Sequence, residues 1–261
     1  MNEARTHDRE RFYISLFVSE AIRPAIWAIL AFNQEIVKTK TVVSEAMLGE
    51  IRLQWWRETL DSITNGAPRE HPVAQALHAD VQNFVQVRPV LDEIIDTWSD
   101  DFNGTVRVSI ESLEKHARGT SGALNEAILL LQKDSATDPE LEVARHIGAL
   151  WGLTGTLRGL PNELSNPDSS WQALSDNGAT KRLEELVDDL LGNVEAGISD
   201  VESCLSRPTS PKAKLATGLL PLVRLDVRSA RRAGGSIQEL AKYQPGNMRK
   251  LVSLAAHFLL R

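Results

Sequence analysis

The sequence of 261 residues has little of several features that mark particular classes of protein. It contains a single cysteine, Cys204, which excludes an internal disulfide and is typical of a reducing compartment. Its formal net charge is −6, with 29 basic against 35 acidic residues, whereas a nucleic-acid-binding chain is expected to carry a basic surplus. The composition therefore favours a cytoplasmic protein that does not bind nucleic acid.

Long apolar runs are missing as well. The longest, Ala25–Phe32, suits a buried helix and falls far short of the ~20 residues that span a bilayer. The segment Met1–Arg11 carries Glu3, Asp8 and Glu10, which makes it too acidic for a transit peptide and too polar for a signal peptide. We therefore expect no membrane-spanning segment, so that any membrane contact would be peripheral.

Several catalytic motifs are also lacking. None of the six histidines lies in a recognisable nucleophile–histidine–acid pattern, the lone cysteine gives no zinc-binding spacing, and no glycine-rich phosphate loop is present. Gly152 and Gly155 lie in a helical pattern, where small residues favour close packing of helices. Acidic residues are thus the main candidates for metal chemistry.

Helical periodicity runs through most of the chain, and strand alternation is nearly absent. We predict an all-α fold, with residues 1–261 as one domain. Ser44 is the expected N-cap of the second helix, Pro89 the expected start of the fourth, and Pro161 the expected stop of the sixth. The predicted helices span residues 23–38, 44–64, 72–86, 89–101, 109–131, 139–160, 181–205, 211–233 and 247–261.

Two charged features, an acidic cluster and a lone arginine, have two interpretations each. Asp96 and Asp100 are four residues apart on one predicted helix, and Asp101 adjoins them, so these carboxylates either share a Mg²⁺ ion or form a solvated helix end. Arg158 stands in an apolar helix rich in small residues, where it either faces an anion or extends its charged head to solvent.

Segments distributed along the chain resemble the squalene/phytoene synthase family, whose members are all-α enzymes of the trans-isoprenoid synthase fold. The matching segments are RPAIWAILAFNQEI (23–36), RLQWWRETL (52–60), HPVAQAL (71–77), IIDTWSDD (94–101), LEKHARGTSGAL (113–124) and IGALWGLTGTLRGLP (147–161). Active members join two prenyl diphosphates head to head, with Mg²⁺ bound to two Asp-rich motifs. The resemblance implies the same helical bundle for this chain.

The stretches that correspond to the two Asp-rich motifs depart from the family pattern. Residues 33–41, NQEIVKTKT, contain one acid, Glu35, and two lysines, while residues 159–163, GLPNE, keep one acid, Glu163. A departing diphosphate needs a cluster of Mg²⁺ ions bridged by carboxylates, and two glutamates make a weak site for such ions. The resemblance therefore implies a non-catalytic homologue without a cofactor.

One branch of the family shares these losses and has markers that match AFNQE (31–35), VSE (43–45) and RLQWWR (52–57). This branch includes an assembly factor of mitochondrial complex I and bacterial relatives. The resemblance implies a role in binding or in the assembly of respiratory complex I. A respiratory-complex subunit or an isoprenoid-like ligand is the expected partner, and a location peripheral to the inner membrane is consistent with that role.

The same resemblance names the residues expected to line the former active-site cavity and bind a ligand, which are Asn33, Glu35, Gln54, Arg57 and Arg158. No catalytic or metal-binding residue is expected. Two other hypotheses stay open. One is an active prenyltransferase that uses Mg²⁺ at a site rebuilt from Glu35, Glu163 and Asp96 or Asp100, and the other is a structural helical adaptor with a filled core.

Overall fold

A computed structural model of the protein describes residues 2–42, 45–102, 109–132, 136–166, 171, 180–205, 215, 217–234, 237–240, 242 and 244–259. Every regular element in these ranges is helical, which confirms the all-α prediction. In chain order the elements are α1 Asn2–His7, α2 Arg9–Ser15, α3 Arg23–Val42, α4 Ala46–Thr64, α5 Pro72–Asp80, α6 Phe84–Phe102, α7 Ile110–Ala117, a π-helical turn Arg118–Gly122, α8 Ala123–Leu130, α9 Asp138–Leu164, α10 Thr180–Leu205, α11 Leu220–Arg232, α12 Ile237–Leu240 and α13 Asn247–Leu259.

Helix α9 lies at the centre of the bundle, where it contacts α7, the π-helical turn, α8, α10, α11 and α12. Its start is stabilised by the Glu140 carboxylate, which accepts a hydrogen bond from the backbone N–H of Thr137 at 2.9 Å. The prediction that Pro161 ends this helix is wrong, because α9 continues to Leu164. A proline inside a helix removes one backbone hydrogen bond, and the rest of α9 is packed on several sides.

The π-helical turn packs against the small residues of α9. A Cβ atom on Gly148 would lie 2.4 Å from the Ser121 carbonyl oxygen, and one on Gly152 would lie 3.1 Å from the Ala117 Cβ. Glycine at these positions therefore lets the two backbones approach closely, as predicted for Gly152.

Other helix boundaries also differ from those predicted. Helix α5 ends at Asp80 instead of residue 86, and α6 begins at Phe84, before Pro89, since the Asn83 carbonyl already accepts backbone hydrogen bonds from the following turn. The side-chain amide of Asn83 also donates to the carbonyl of Leu130, which ties this junction to α8. The expected N-cap Ser44 and the expected helix start at residue 211 lie outside the described residues.

The core near α3 and α4 is aromatic. Trp56 is almost fully buried, and its ring meets the Phe32 ring edge to face at 5.4 Å between centroids. His71 accepts a hydrogen bond from the backbone N–H of Val73 at the start of α5 and packs on both Trp55 and Trp56. Within the described ranges, each helix is too short or too polar to cross a lipid bilayer.

Candidate functional site

The five residues predicted to line a ligand cavity lie on three helices. Asn33 and Glu35 are on α3, Gln54 and Arg57 are on α4, and Arg158 is on α9. Gln54 is exposed, and the other four are partly buried. Polar side-chain contacts connect Glu35, Gln54, Arg57 and Arg158 to neighbouring residues.

Glu35 is held between two cations. Its Oε1 accepts a hydrogen bond from Lys38 Nζ at 3.1 Å, one helical turn away on α3. Its Oε2 accepts from Arg52 Nη2 at 3.0 Å, and this contact joins α3 to α4. Both carboxylate oxygens of Glu35 therefore neutralise protein cations in the stretch that corresponds to the first Asp-rich motif.

Asp101 provides a second anchor for the same stretch. Its side chain is only 3% exposed and lies 3.7 Å from Lys40 Nζ and 3.7 Å from His116 Nδ1. The His116 ring packs edge to face on Trp98 at 5.0 Å between centroids. The end of α3 is thereby fastened to α6 and α7.

Gln54 and Arg57 form contacts on the exposed side of α4. Arg57 donates to Asp96 Oδ1 from Nη2 at 2.7 Å and from Nε at 3.2 Å. Gln54 donates to Glu58 at 3.4 Å, and Glu58 is also paired with Arg69 at 2.7 Å. Asp96 therefore forms a surface ion pair with the guanidinium group of Arg57.

Asp100, another acid proposed for Mg²⁺, has a similar environment, since it lies 3.6 Å from Lys115 Nζ. Among the residues that the structure describes, no group of three or more His, Cys, Asp or Glu side chains is arranged to hold a metal ion.

Arg158 belongs to a different set of contacts, between α9 and α11. Its Nη1 donates to Asp226 Oδ2 and to Thr154 Oγ1, and its guanidinium carbon lies 3.8 Å from the centre of the Trp151 ring. Gln244 donates to the Arg158 carbonyl at 3.1 Å from the segment between α12 and α13. Of the two interpretations of Arg158, the structure supports an anion partner, which is a carboxylate of the same chain.

A small pocket of about 20 Å³ lies beside this pair, lined by Thr154, Leu157, Arg158, Asp226, Ser229, Ala230, Leu240, Gln244 and Pro245. This volume holds roughly one water molecule. Burial raises the pKa of Asp226 although Arg158 and Lys250 act in the opposite direction. Its Oδ1 is buried and has no hydrogen-bond partner among the described residues. The charged form of Asp226 is therefore costly and depends on Arg158.

The described contacts thus place Glu35 in a network of α3 and α4, and Arg158 in a network of α9 and α11. The contacts of the described residues assign no ligand to any of the five, so their role in binding stays a prediction. Sequence reasoning missed Arg52 and Asp226 as partners, because they are 17 and 68 residues away from Glu35 and Arg158. Lys38 lies three residues after Glu35, a helical spacing that predicts contact between the two side chains.

Curated relatives match part of this chain at moderate identity. The chain is 31% identical over 159 residues to the NADH dehydrogenase (ubiquinone) complex I, assembly factor 6, of Bos taurus, and 30% identical over 159 residues to that of Homo sapiens. Each match covers 60% of this chain and 47% of the relative. A homologue of this factor from Dictyostelium discoideum is 24% identical over 166 residues. The match thus spans about half the length of these relatives.

Solved structures show the same fold. A dehydrosqualene synthase in complex with a ligand superposes with a TM-score of 0.74 over 97% of this chain and 92% of that one, at 14% identity. A squalene synthase, HpnC, from Alicyclobacillus acidocaldarius superposes with a TM-score of 0.69 over 94% of this chain and 93% of that one, also at 14% identity. The family model for squalene/phytoene synthase matches residues 4–240. On this match, the chain belongs to the squalene/phytoene synthase family.

Proposed function

We propose that this chain is a non-catalytic member of the family and that it acts by binding, in the assembly of respiratory complex I. The names of the curated relatives support the assembly role. The observation that carries the non-catalytic part is the pairing of Glu35, the one acid of residues 33–41, with both Lys38 and Arg52.

The physical reason is the charge that prenyl transfer would require. Ionising a prenyl diphosphate leaves a multiply charged anion, which is stabilised by Mg²⁺ ions held between carboxylates. A carboxylate that already neutralises two protein cations gives a poor ligand for such an ion, because binding the metal would leave Lys38 and Arg52 unpaired nearby. Asp101 likewise lies near a protein cation, Lys40, at 3.7 Å.

The partner on this proposal is a subunit of the respiratory complex or an isoprenoid-like ligand, and the protein is peripheral to the inner membrane. Asn33, Glu35, Gln54, Arg57 and Arg158 are the proposed ligand-binding residues. The scaffold similarity to two synthases supports an isoprenoid-like ligand, since the whole fold is kept.

The assembly role is tested by deleting the gene in its host and measuring NADH:ubiquinone oxidoreductase activity and the amount of assembled complex in membranes. We expect both to fall and to be restored by the intact gene. Unchanged activity and complex in the deletion strain would exclude a role in assembly.

An active prenyltransferase is the second candidate, favoured by the family match and by the named synthases of the same fold. Purified protein is incubated with farnesyl or geranylgeranyl diphosphate and Mg²⁺, and diphosphate release is measured beside an active synthase as positive control. We expect no release above the protein-free background and no Mg²⁺-dependent rise in melting temperature. Release that is abolished by Glu35→Gln and Glu163→Gln would establish the enzyme instead.

A further inference from the structure

The C-terminal helix α13 presents apolar side chains to solvent. Met248, Val252 and Leu259 are 72%, 63% and 73% exposed, and their spacings of four and seven residues place them on one side of the helix. The opposite side buries Leu254 and packs Phe258 on the core. A helix that is apolar on both sides is expected to be covered on both.

The end of α2 extends this apolar side. Leu16 and Phe17 follow α2 and are exposed, and the Phe17 ring stacks on the Phe258 ring at 4.7 Å between centroids. Near the start of both helices, Lys250 Nζ donates to Glu10 at 2.6 Å. The two contacts hold α2 and α13 side by side. We call Leu16, Phe17, Met248, Val252 and Leu259 the terminal surface.

Cationic side chains continue the terminal surface along α1 and α2. Arg5, Thr6, Arg9 and Tyr13 line an open groove of about 320 Å³. Arg9 and Tyr13 are four residues apart on α2, and Phe17 follows the end of that helix, so this side of α2 leads from the groove toward the apolar part. In the part of the chain that the structure describes, neither Arg5 nor Arg9 has an acidic partner.

Two acids close in sequence to these arginines, among the described side chains, are already neutralised. Asp8 is paired with Arg11 at 2.9 Å, and Glu10 is paired with Lys250. Arg249 adds an exposed cation at the start of α13. A chain with a net charge of −6 therefore carries unneutralised positive charge beside its exposed apolar side chains.

We propose that the terminal surface and its arginines dock on a phospholipid bilayer that contains anionic lipids. Guanidinium groups bind phosphate oxygens in a bidentate way, and apolar side chains of a helix lying in the interface enter the boundary of the acyl chains. A second copy of this chain fits less well, because the terminal surface contains no carboxylate that could pair with the arginines of another copy.

This inference rests on the peripheral location proposed above and names the surface responsible for it. Vesicle binding by the purified protein requires no complex I. A failure to bind vesicles therefore overturns the docking surface and leaves the assembly role to the deletion experiment.

The test compares binding of the full chain to vesicles of phosphatidylcholine alone and of an equimolar mixture with phosphatidylglycerol, by flotation. We expect the chain to bind the anionic vesicles. Arg5→Gln and Arg9→Gln should each weaken this binding about fivefold, because each basic residue near an anionic surface contributes a similar binding free energy. The double variant Val252→Ser and Leu259→Ser is expected to weaken binding by at least a similar factor.

Matched controls change the same residue types elsewhere on the surface. Arg182→Gln removes an exposed arginine of α10, and Val85→Ser removes a valine of α6 that is 71% exposed. Both are expected to bind as the unaltered chain does, and unfolding curves check that every variant is folded. The proposal is overturned by equal binding to both kinds of vesicle or to neither. It is also overturned if the control variants lose as much vesicle binding as the test variants. A dimer of the unaltered chain in sedimentation that becomes a monomer in the Val252→Ser and Leu259→Ser variant would overturn it as well.

Discussion

The Arg158–Asp226 pair is a buried ion pair in which desolvation and attraction oppose each other. Asp226 is nearly inaccessible, while Arg158 is partly exposed and stacks on Trp151. Burial raises the pKa of Asp226 in spite of Arg158, so the charged carboxylate is less stable here than in water. Removing the arginine would leave this charge without its main partner.

We therefore predict that Arg158→Ala lowers the free energy of unfolding at neutral pH by about 3 kcal/mol, the usual cost of leaving one member of a buried pair behind. In a chain that also carries Asp226→Ala, the same substitution is expected to cost less, because no buried charge remains. Urea unfolding of the two single variants and the double variant measures the coupling. Additive losses would contradict the prediction and show that the two side chains act independently.

At the same scale, the contacts of the candidate site were only partly predictable. The Lys38 partner of Glu35 follows from helical spacing, whereas Arg52 reaches Glu35 only because α3 and α4 pack together. Which interpretation of Arg158 is right depends on the side chain that faces it from another helix. That side chain is Asp226 of α11. Long-range partners of this kind are set by packing and not by local sequence.

Among the elements, long periodic helices were predicted closely, whereas the roles predicted for Pro89 and Pro161 were wrong. The helix predicted over 181–205 is observed as Thr180–Leu205, since its apolar stripe is continuous. Pro89 and Pro161 both lie inside helices, because packing around α6 and α9 compensates for a single missing backbone hydrogen bond. The weak helix formers at 118–122 form a π-helical turn, which no sequence period indicated.

The contact between α9 and this π-helical turn leads to a prediction for Gly148. In Gly148→Ala the new Cβ would lie 2.4 Å from the Ser121 carbonyl oxygen and 2.8 Å from the Gly122 Cα, so backbone must move. We expect the free energy of unfolding to fall by about 3 kcal/mol, at the upper end of the usual cost of overpacking.

A matched control lies eleven residues further along the same helix. A Cβ on Gly159 would meet nothing within 4 Å, so Gly159→Ala is expected to raise stability by up to about 1 kcal/mol through helix propensity alone. Thermal unfolding of both variants makes the comparison. Equal effects of the two substitutions would mean that the close approach at Gly148 does not matter to stability.

At the scale of the whole molecule, the sequence resemblance predicted the helical fold and the family, which the structural and family comparisons confirm. A distributed match along the chain constrains the arrangement of helices more strongly than any local pattern does. That residues 1–261 form one domain stays a prediction. Which charges pair across the bundle followed from the structure alone, and these pairs determine how stability depends on pH.

Several of the paired carboxyls have pKa values below their ordinary ones. For Glu10, burial acts to raise the pKa, but the hydrogen bond and charge of Lys250 outweigh it and hold the pKa below 4.5. The hydrogen bond from Arg118 lowers the pKa of Glu142 in the same direction. A lowered pKa contributes stability that is fully present above about 4.5 and is lost as the pH falls through the pKa of the folded state. Burial raises the pKa of Asp92 and Asp226, and their contributions have the opposite dependence.

The Glu10–Lys250 contact joins α2 to α13 and makes this dependence testable. We predict that Glu10→Gln lowers the free energy of unfolding by about 1–2 kcal/mol at neutral pH, as expected for a partly buried hydrogen bond between charged groups. The difference from the unaltered chain should shrink as the pH falls from about 4.5 through the lower pKa of the folded state, because only below that pKa is Glu10 protonated in both the folded and the unfolded chain. Glu20→Gln, at an exposed carboxylate, should change stability little at any pH. Urea unfolding of each chain across this pH range measures the difference in free energy of unfolding between Glu10→Gln and the unaltered chain. A difference that stays constant with pH would show that the charge of Glu10 contributes nothing and that its side chain acts only through packing.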